Sequence, residues 1–345
     1  MLIYMKVWFD ILTPKQLLFS KLFADYLETQ GVECIMTSRA YSEVTTLADV
    51  HGIDLIYCGA YGKTTPQKLK NSIKRMGKLY DVVHNEKPDV AINYCSPDAC
   101  RVAYGLGIPL FLLNDSPHAE ITNRLTIPLA KRVWVPMVFK KHLFTKYGVV
   151  DSVVKQYNCI DAYITAKRKS IGTPPLKEKY VLLRTPESFA SYYNNNFDVL
   201  SILRLIQNEV NHKVLVLCRY KEQYDIIEKI DDPQFIPTMM KHDGKMLYEK
   251  AEFFIGAGGT MSAEAALNGT PTIVYDMLDK NHVVDYLKYK NILLRVKDLS
   301  QLKSKIKYAI VHKNAFKIRA NDVNNEMSEP FSYFYDDIRQ VLGLE

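Results

Sequence analysis

Short apolar runs alternate with helix-period segments along almost the whole chain, in two successive series, and this rhythm leaves few folds open. In the first series residues 6–9, 32–36, 55–58, 90–93 and 109–113 read as strands. Residues 17–27, 47–51 and 69–86 carry apolar positions at helical spacing, the first two stopped by Gly31 and Gly52. A strand–helix–strand alternation of this kind builds a parallel sheet with helices on both faces. The second series repeats it: strands at 180–183, 214–218, 253–255 and 272–275, helices at 199–208, 224–229, 262–267 and 299–311. Between the two, residues 167–179 hold charges, Gly172, Pro174 and Pro175, a linker composition. The expected organisation is a domain at 1–160, a linker at 161–178 and a domain at 179–330. A last helix at 331–342, in the terminal segment 331–345, has no place assigned by the pattern.

Composition narrows the class further. The 345 residues are 48% hydrophobic and 24% charged, which excludes disordered and fibrous readings. No apolar run approaches the length of a membrane span. Met1–Lys6 is too short for a secretion signal, so the expected location is the cytoplasm. The six cysteines form no CxxC and lie mostly in apolar runs, as reduced, buried thiols do. The net charge of +7 is spread along the chain, with 19 Lys/Arg against 14 Asp/Glu in residues 1–160 and 26 against 24 beyond. That suits a small anionic ligand or an anionic membrane face and argues against a nucleic-acid partner, which would call for a clustered patch.

One segment carries chemistry. Phe253-Phe254-Ile255 runs into Gly256-Ala257-Gly258-Gly259, and a helix begins at about Thr260. Glycines let backbone approach a ligand closely, and a helix N-terminus offers free N–H groups and partial positive charge. Gly258, Gly259 and Thr260 therefore suit a diphosphate. Glu264 lies four residues after Thr260 and can accept hydrogen bonds from ribose hydroxyls. A bland tight turn with a solvated glutamate is the competing reading. The later Gly269-Thr270-Pro271 and the apolar Ile273-Val274 complete a β–α–β unit and favour the ligand site.

With these residues in view, the segment resembles the nucleotide-sugar signature of GT-B glycosyltransferases, above all the MurG-like N-acetylglucosaminyltransferases. It is more distantly similar to non-hydrolysing UDP-N-acetylglucosamine 2-epimerases. In the MurG-like proteins a ribose-binding glutamate is followed by Gly and Pro five and seven residues later, a spacing that Glu264, Gly269 and Pro271 keep. Thr122-Asn123-Arg124-Leu125 and Ala130-Lys131-Arg132-Val133 are similar to the helix and strand that close the first domain of those enzymes. Phe9 to Gln16 resembles a mainly archaeal GT-B-like group of unknown function. The resemblance implies a GT-B fold, two Rossmann-like doubly wound parallel-sheet domains facing a central cleft. It implies a UDP-sugar donor, probed by the second domain, and an acceptor on the first, with no further cofactor. It also fails in places. The first βα loop, Asp10 to Gln16, lacks the family's glycines and histidine, so its usual base is missing. The paired glutamates of retaining GT-B enzymes are absent because position 256 is Gly, which points to inversion.

The remaining candidates sit where loops leave the strands. Asp10 is a candidate base, with Lys15 as an anion binder, though Asp10 or Thr13 can equally cap a helix. Asp115, His118 and Glu120 share one loop, and a histidine beside carboxylates is a tunable base. The order of preference for the base is His118, Asp10, Glu120. Arg184 can grip a diphosphate or form a surface ion pair. His242, Asn281 and His282 fall where GT-B proteins contact base and donor sugar. Residues 125–144 mix apolar residues with lysines, which suits either a peripheral membrane contact or a buried strand with snorkelling lysines. The combined expectation is a metal-independent, inverting transfer of a sugar, an N-acetylhexosamine, from a UDP-sugar to an unidentified acceptor for which a lipid-linked molecule is one option. An epimerase acting on the same donor and a non-catalytic nucleotide-sugar-binding subunit are the alternatives.

Overall fold

The computed structural model describes residues 5–62, 64–186, 198–239, 243–275 and 281–344. The chain divides into two compact units, one made of Met1–Thr165 with Ser328–Glu345, the other of Ala166–Met327.

The first unit is built on seven parallel strands: β1 (Lys6–Ile11), β2 (Glu33–Ala40), β3 (Ile56–Ala60), β4 (Val90–Asn93), β5 (Leu110–Leu113), β6 (Arg132–Pro136) and β7 (Val154–Tyr157). Their spatial order is β3-β2-β1-β4-β5-β6-β7. The winding therefore reverses between β1 and β4, where Asp10 lies opposite Asn93. A reversal of this sort opens a crevice at the carboxyl ends of the strands. The central strands are apolar throughout because both faces are covered: Val7, Phe9, Ile92, Phe111 and Leu112 are 0–1% exposed. The helix Phe331–Leu342 completes this unit. Phe331 stacks on Phe23 at 5.1 Å, Phe334 stacks on Trp134 at 4.3 Å, and Asp337 accepts the Trp134 indole N–H at 2.8 Å.

The second unit has six parallel strands: β8 (Tyr180–Arg184), β9 (Lys213–Cys218), β10 (Phe235–Met239), β11 (Ala251–Gly256), β12 (Thr272–Tyr275) and β13 (Leu293–Val296). The order is β10-β9-β8-β11-β12-β13, so the reversal falls between β8 and β11. Arg184 ends one of these strands and Gly256 the other. Val181, Val214, Val216 and Ile255 point to one apolar cluster; Leu182, Leu215, Leu217 and Phe254 point to the other, the period of two that a pleated strand imposes.

Several elements escaped the sequence pattern. β10 is an edge strand carrying Pro237, and β13 carries Arg295 with only Leu293 and Val296 buried. The helix Lys313–Asn325 buries only Phe316, Ala320 and Val323. Residues 161–166, expected as the start of a linker, form a helix whose first residue, Asp161, is 5% exposed. The segment 125–144 holds a helix end, a 3-10 turn, the strand β6 and the start of a short helix; Val133, Trp134, Val135, Phe139 and Phe144 are buried, while Leu125 is exposed. Among the described residues no helix is long and apolar enough to cross a membrane.

Candidate functional site

In the second unit, β11 delivers the chain into a turn that only glycine can make. Gly258 has φ 81° and Gly259 φ 119°, conformations that a Cβ strains. Gly259 is the N-cap of the helix Thr260–Leu267, and no side chain caps it. The first N–H groups of that helix thus have no intrahelical partner and, among the described residues, no side-chain acceptor. A Cβ on Gly258 would lie 3.4 Å from Asn281 Nδ2, which places Asn281 beside the turn. Asn281 itself caps the next helix, His282–Tyr289, by accepting from Val284 N at 3.2 Å. Gly256 has no room for a side chain: its Cβ would stand 2.8 Å from the Phe254 ring and 3.0 Å from Ser262 Oγ.

Glu264 lies one turn into the helix, and it is not a solvated surface residue. It is 3% exposed. Its Oε2 accepts both the Tyr248 hydroxyl at 2.6 Å and Arg168 Nη1 at 3.2 Å. Arg168 Nε and Nη2 grip Asp243, a fully buried carboxylate that also caps the helix Gly244–Glu249 through Lys245 N. Burial works against the Arg168 charge, but Glu264 and its neighbours outweigh it and hold the guanidinium pKa above its usual value. Burial, then the Glu264 charge, pushes the Tyr248 phenol well above the ordinary tyrosine range. Both protein bonds to Glu264 fall on one oxygen, so the carboxylate is oriented without its second oxygen being used for either.

Across the reversal point, Arg184 is 6% exposed and donates through Nη1 to the carbonyls of Leu217 and Cys218 at 3.5 and 3.4 Å. It is a buried residue laid over the end of β9. His282 is exposed on the first turn of its helix. His242 lies outside the described residues. Gly269 keeps the family spacing for a packing reason: its φ is 80°, and a Cβ would stand 2.8 Å from the Lys317 backbone.

The first unit gathers a different set. Lys15 Nζ sits between Asp115 (2.5 Å) and Asp161 (2.8 Å), 4.5 Å above the Tyr94 ring, and Tyr157 donates its hydroxyl to Asp161. Burial opposes the Lys15 charge, yet the two carboxylates, Asp115 first, raise its pKa above the usual lysine range. Burial raises Asp161 against the pull of Lys15, while at Asp115 the pull of Lys15 overcomes burial and lowers the pKa. Asp115 is the open edge of this cluster, with 29% of its side chain exposed.

Asp10 is corrected here. It is 2% exposed, and its Oδ1 takes the Arg75 guanidinium at 2.5 Å and the Thr37 hydroxyl at 2.7 Å. A carboxylate enclosed by a buried arginine and closed to solvent has no access to an acceptor hydroxyl. Glu120 is exposed and bonded to Arg124 at 2.7 Å, a hydrogen bond that lowers its pKa and weakens it as a base. His118 stands exposed on the loop that also carries Asp115. Sequence reading passed over Arg168, Tyr248, Asp161 and Tyr157. Arg168 was hidden in linker composition, and no local signal marks the other three.

Two parallel-sheet Rossmann-like domains with this strand order define the GT-B class. The chain belongs to the family described as Protein of unknown function (DUF354), matched over residues 5–336. It is 26% identical over 311 residues to the uncharacterized protein MJ0665 of Methanocaldococcus jannaschii, covering 87% of this chain and 90% of that one. Among solved structures it is similar to the S. aureus MnaA–UDP co-structure, with TM-score 0.76 and 14% identity over 99% of this chain and 98% of that chain. It is similar to the M. jannaschii UDP-GlcNAc 2-epimerase in complex with UDP-GlcNAc and UDP (TM-score 0.69, 14% identity, 89% and 93% covered). It is also similar to the spinosyn rhamnosyltransferase SpnG (TM-score 0.63, 13% identity, 96% and 99% covered).

Proposed function

We propose that this protein binds a UDP-sugar in its second unit and transfers the sugar, an N-acetylhexosamine, to an acceptor hydroxyl with inversion and without a metal. The observation that carries the reading is the uncapped helix Thr260–Leu267 behind the Gly258-Gly259 turn, with the Glu264 carboxylate held one turn in. The free N–H groups and helix dipole would hold the diphosphate and stabilise it as it leaves. The second oxygen of Glu264 would accept the ribose hydroxyls, with Arg168 and Tyr248 fixing its angle. Arg184 and Asn281, both beside the reversal between β8 and β11, are the further donor contacts, and His242 and His282 remain candidates for base and sugar. The complexes of similar proteins with UDP and UDP-GlcNAc support this choice of ligand. For the acceptor proton we favour His118, which stands exposed on its loop.

The higher TM-scores of the two UDP-bound structures (0.76 and 0.69) than of the rhamnosyltransferase (0.63) support donor epimerisation as the second reading. Calorimetry with UDP tests the site. Glu264→Ala should weaken UDP binding by about 1–3 kcal/mol, the cost of losing a charged hydrogen bond. Unchanged affinity in the folded variant removes Glu264 from the site. Incubation with UDP-sugars separates the activities: free UDP formed only with an acceptor means transfer, and an altered sugar without one means epimerisation.

A further inference from the structure

Arg39 is the next-to-last residue of β2, and Tyr61 follows β3 directly. Both therefore stand at the carboxyl ends of the first unit's strands, the end at which doubly wound sheets take ligands. The Arg39 guanidinium is half-buried and lies 4.9 Å from the centre of the Tyr61 ring. The ammonium of Lys68, in the first turn of the helix Thr65–Glu86, reaches the same ring at 5.6 Å. Gly62 makes this approach possible. A Cβ there would stand 2.5 Å from Lys68 N, so the loop after β3 packs directly onto the start of the helix. The helix start itself needs no anion, because Thr64 and Gln67 close a capping box there.

What the two cations lack is a counter-charge. Among the described residues neither side chain donates a hydrogen bond or enters an ion pair, and the Tyr61 ring is their shared neighbour. Arg39 Nε is enclosed without an acceptor. The nearby carboxylates are engaged elsewhere: Asp10 holds Arg75 and Thr37, and Glu43 accepts the Tyr41 hydroxyl at 3.1 Å. Burial, then the neighbouring Arg75 charge, pulls the Arg39 pKa below the ordinary guanidinium value. A half-buried guanidinium with unaccepted donors costs free energy in folding, and an oxyanion removes that cost because its oxygens match the planar fork. One cation suffices for a carboxylate. Two suit the charge of about −1.5 to −2 that a phosphate monoester carries at neutral pH. We propose that Arg39 and Lys68, set against the Tyr61 ring, form a phosphate-binding subsite of the first unit, and that the molecule receiving the sugar carries a phosphate group. The second half of this statement rests on the reading of the first unit as the acceptor domain.

The test uses the tryptophans. Trp8 and Trp134 both lie in the first unit, so thermal unfolding followed by indole fluorescence reads that unit and not the donor helix of the second. The full chain is melted in sodium phosphate and in sodium acetate at matched pH and ionic strength. Phosphate is expected to raise the fluorescence midpoint, as any ligand of the folded state does, and acetate to leave it in place. Arg39→Gln should weaken the apparent phosphate affinity by about tenfold or more, the loss of a charged hydrogen bond. Arg39→Lys keeps the charge without the fork and should fall between. Lys68→Gln, at an exposed position that folding does not depend on, should weaken it by about threefold. UDP affinity, read separately by calorimetry, should be unchanged in all three variants. A parent that fails to bind UDP would sink the donor reading while leaving the phosphate shift to be judged by itself. No shift with phosphate, an equal shift with acetate, or a shift kept in full by Arg39→Gln and Lys68→Gln overturns the proposal.

Discussion

Replacing Arg168 by leucine should destabilise the second unit by about 3–5 kcal/mol, the range for removing one partner of a buried ion pair. The structure explains why the figure belongs at that level. Arg168 answers two carboxylates at once, Asp243 through Nε and Nη2 and Glu264 through Nη1. Asp243 is 0% exposed and Glu264 3%, so neither gains useful hydration when the guanidinium leaves. The Lys245 backbone N–H stays on Asp243 and the Tyr248 hydroxyl on Glu264, and neither carries a counter-charge. Arg168→Lys keeps the charge but loses the fork, and should fall between the parent and leucine. Adding Asp243→Asn and Glu264→Gln to Arg168→Leu should return part of the loss, because the orphaned charges are gone. Urea unfolding can localise the effect. Both tryptophans, Trp8 and Trp134, lie in the first unit, so indole fluorescence reports that unit while circular dichroism reports both. A shift in the dichroism transition with the fluorescence transition unmoved is the expected result. A change below about 1 kcal/mol, the range of an ordinary surface substitution, would refute the reasoning.

Gly269→Ala should cost about 1–3 kcal/mol from its positive φ alone and more from the approach of Lys317, with UDP affinity of the folded fraction unchanged. Lys15, Tyr94 and Tyr157 all have pKa values raised in the folded state, so their contribution is complete below the unfolded values of about 10. Above that pH the unfolded chain releases protons the folded one keeps, and stability measured by urea should decline, less steeply in Lys15→Gln. Turnover should survive EDTA; a loss that magnesium or manganese restores would sink the metal-free mechanism. His118→Ala should lower turnover by about 10²–10⁴-fold with UDP affinity near that of the parent, and retained full turnover would remove His118 from the role.

The alternation of apolar runs and helical periods by itself determined a doubly wound parallel fold in two parts, because period and run length are local properties that burial on both sheet faces writes into every strand. The residues 272–275, 299–311 and 331–342 could be bounded from the sequence to the residue. The glycine turn and Glu264 were legible for a similar reason: positive φ demands glycine at the position itself. Tertiary structure alone decided the rest. Whether Glu264 faces water or a guanidinium depends on Arg168, 96 residues away along the chain. Lys15 meets Asp161 across 146 residues, and Asp10 meets Arg75 across 65. A charge has no periodicity and no preferred spacing to its partner. Its pairing, and with it the difference between a catalytic carboxylate and a structural one, is set only when the chain closes around it and removes the water.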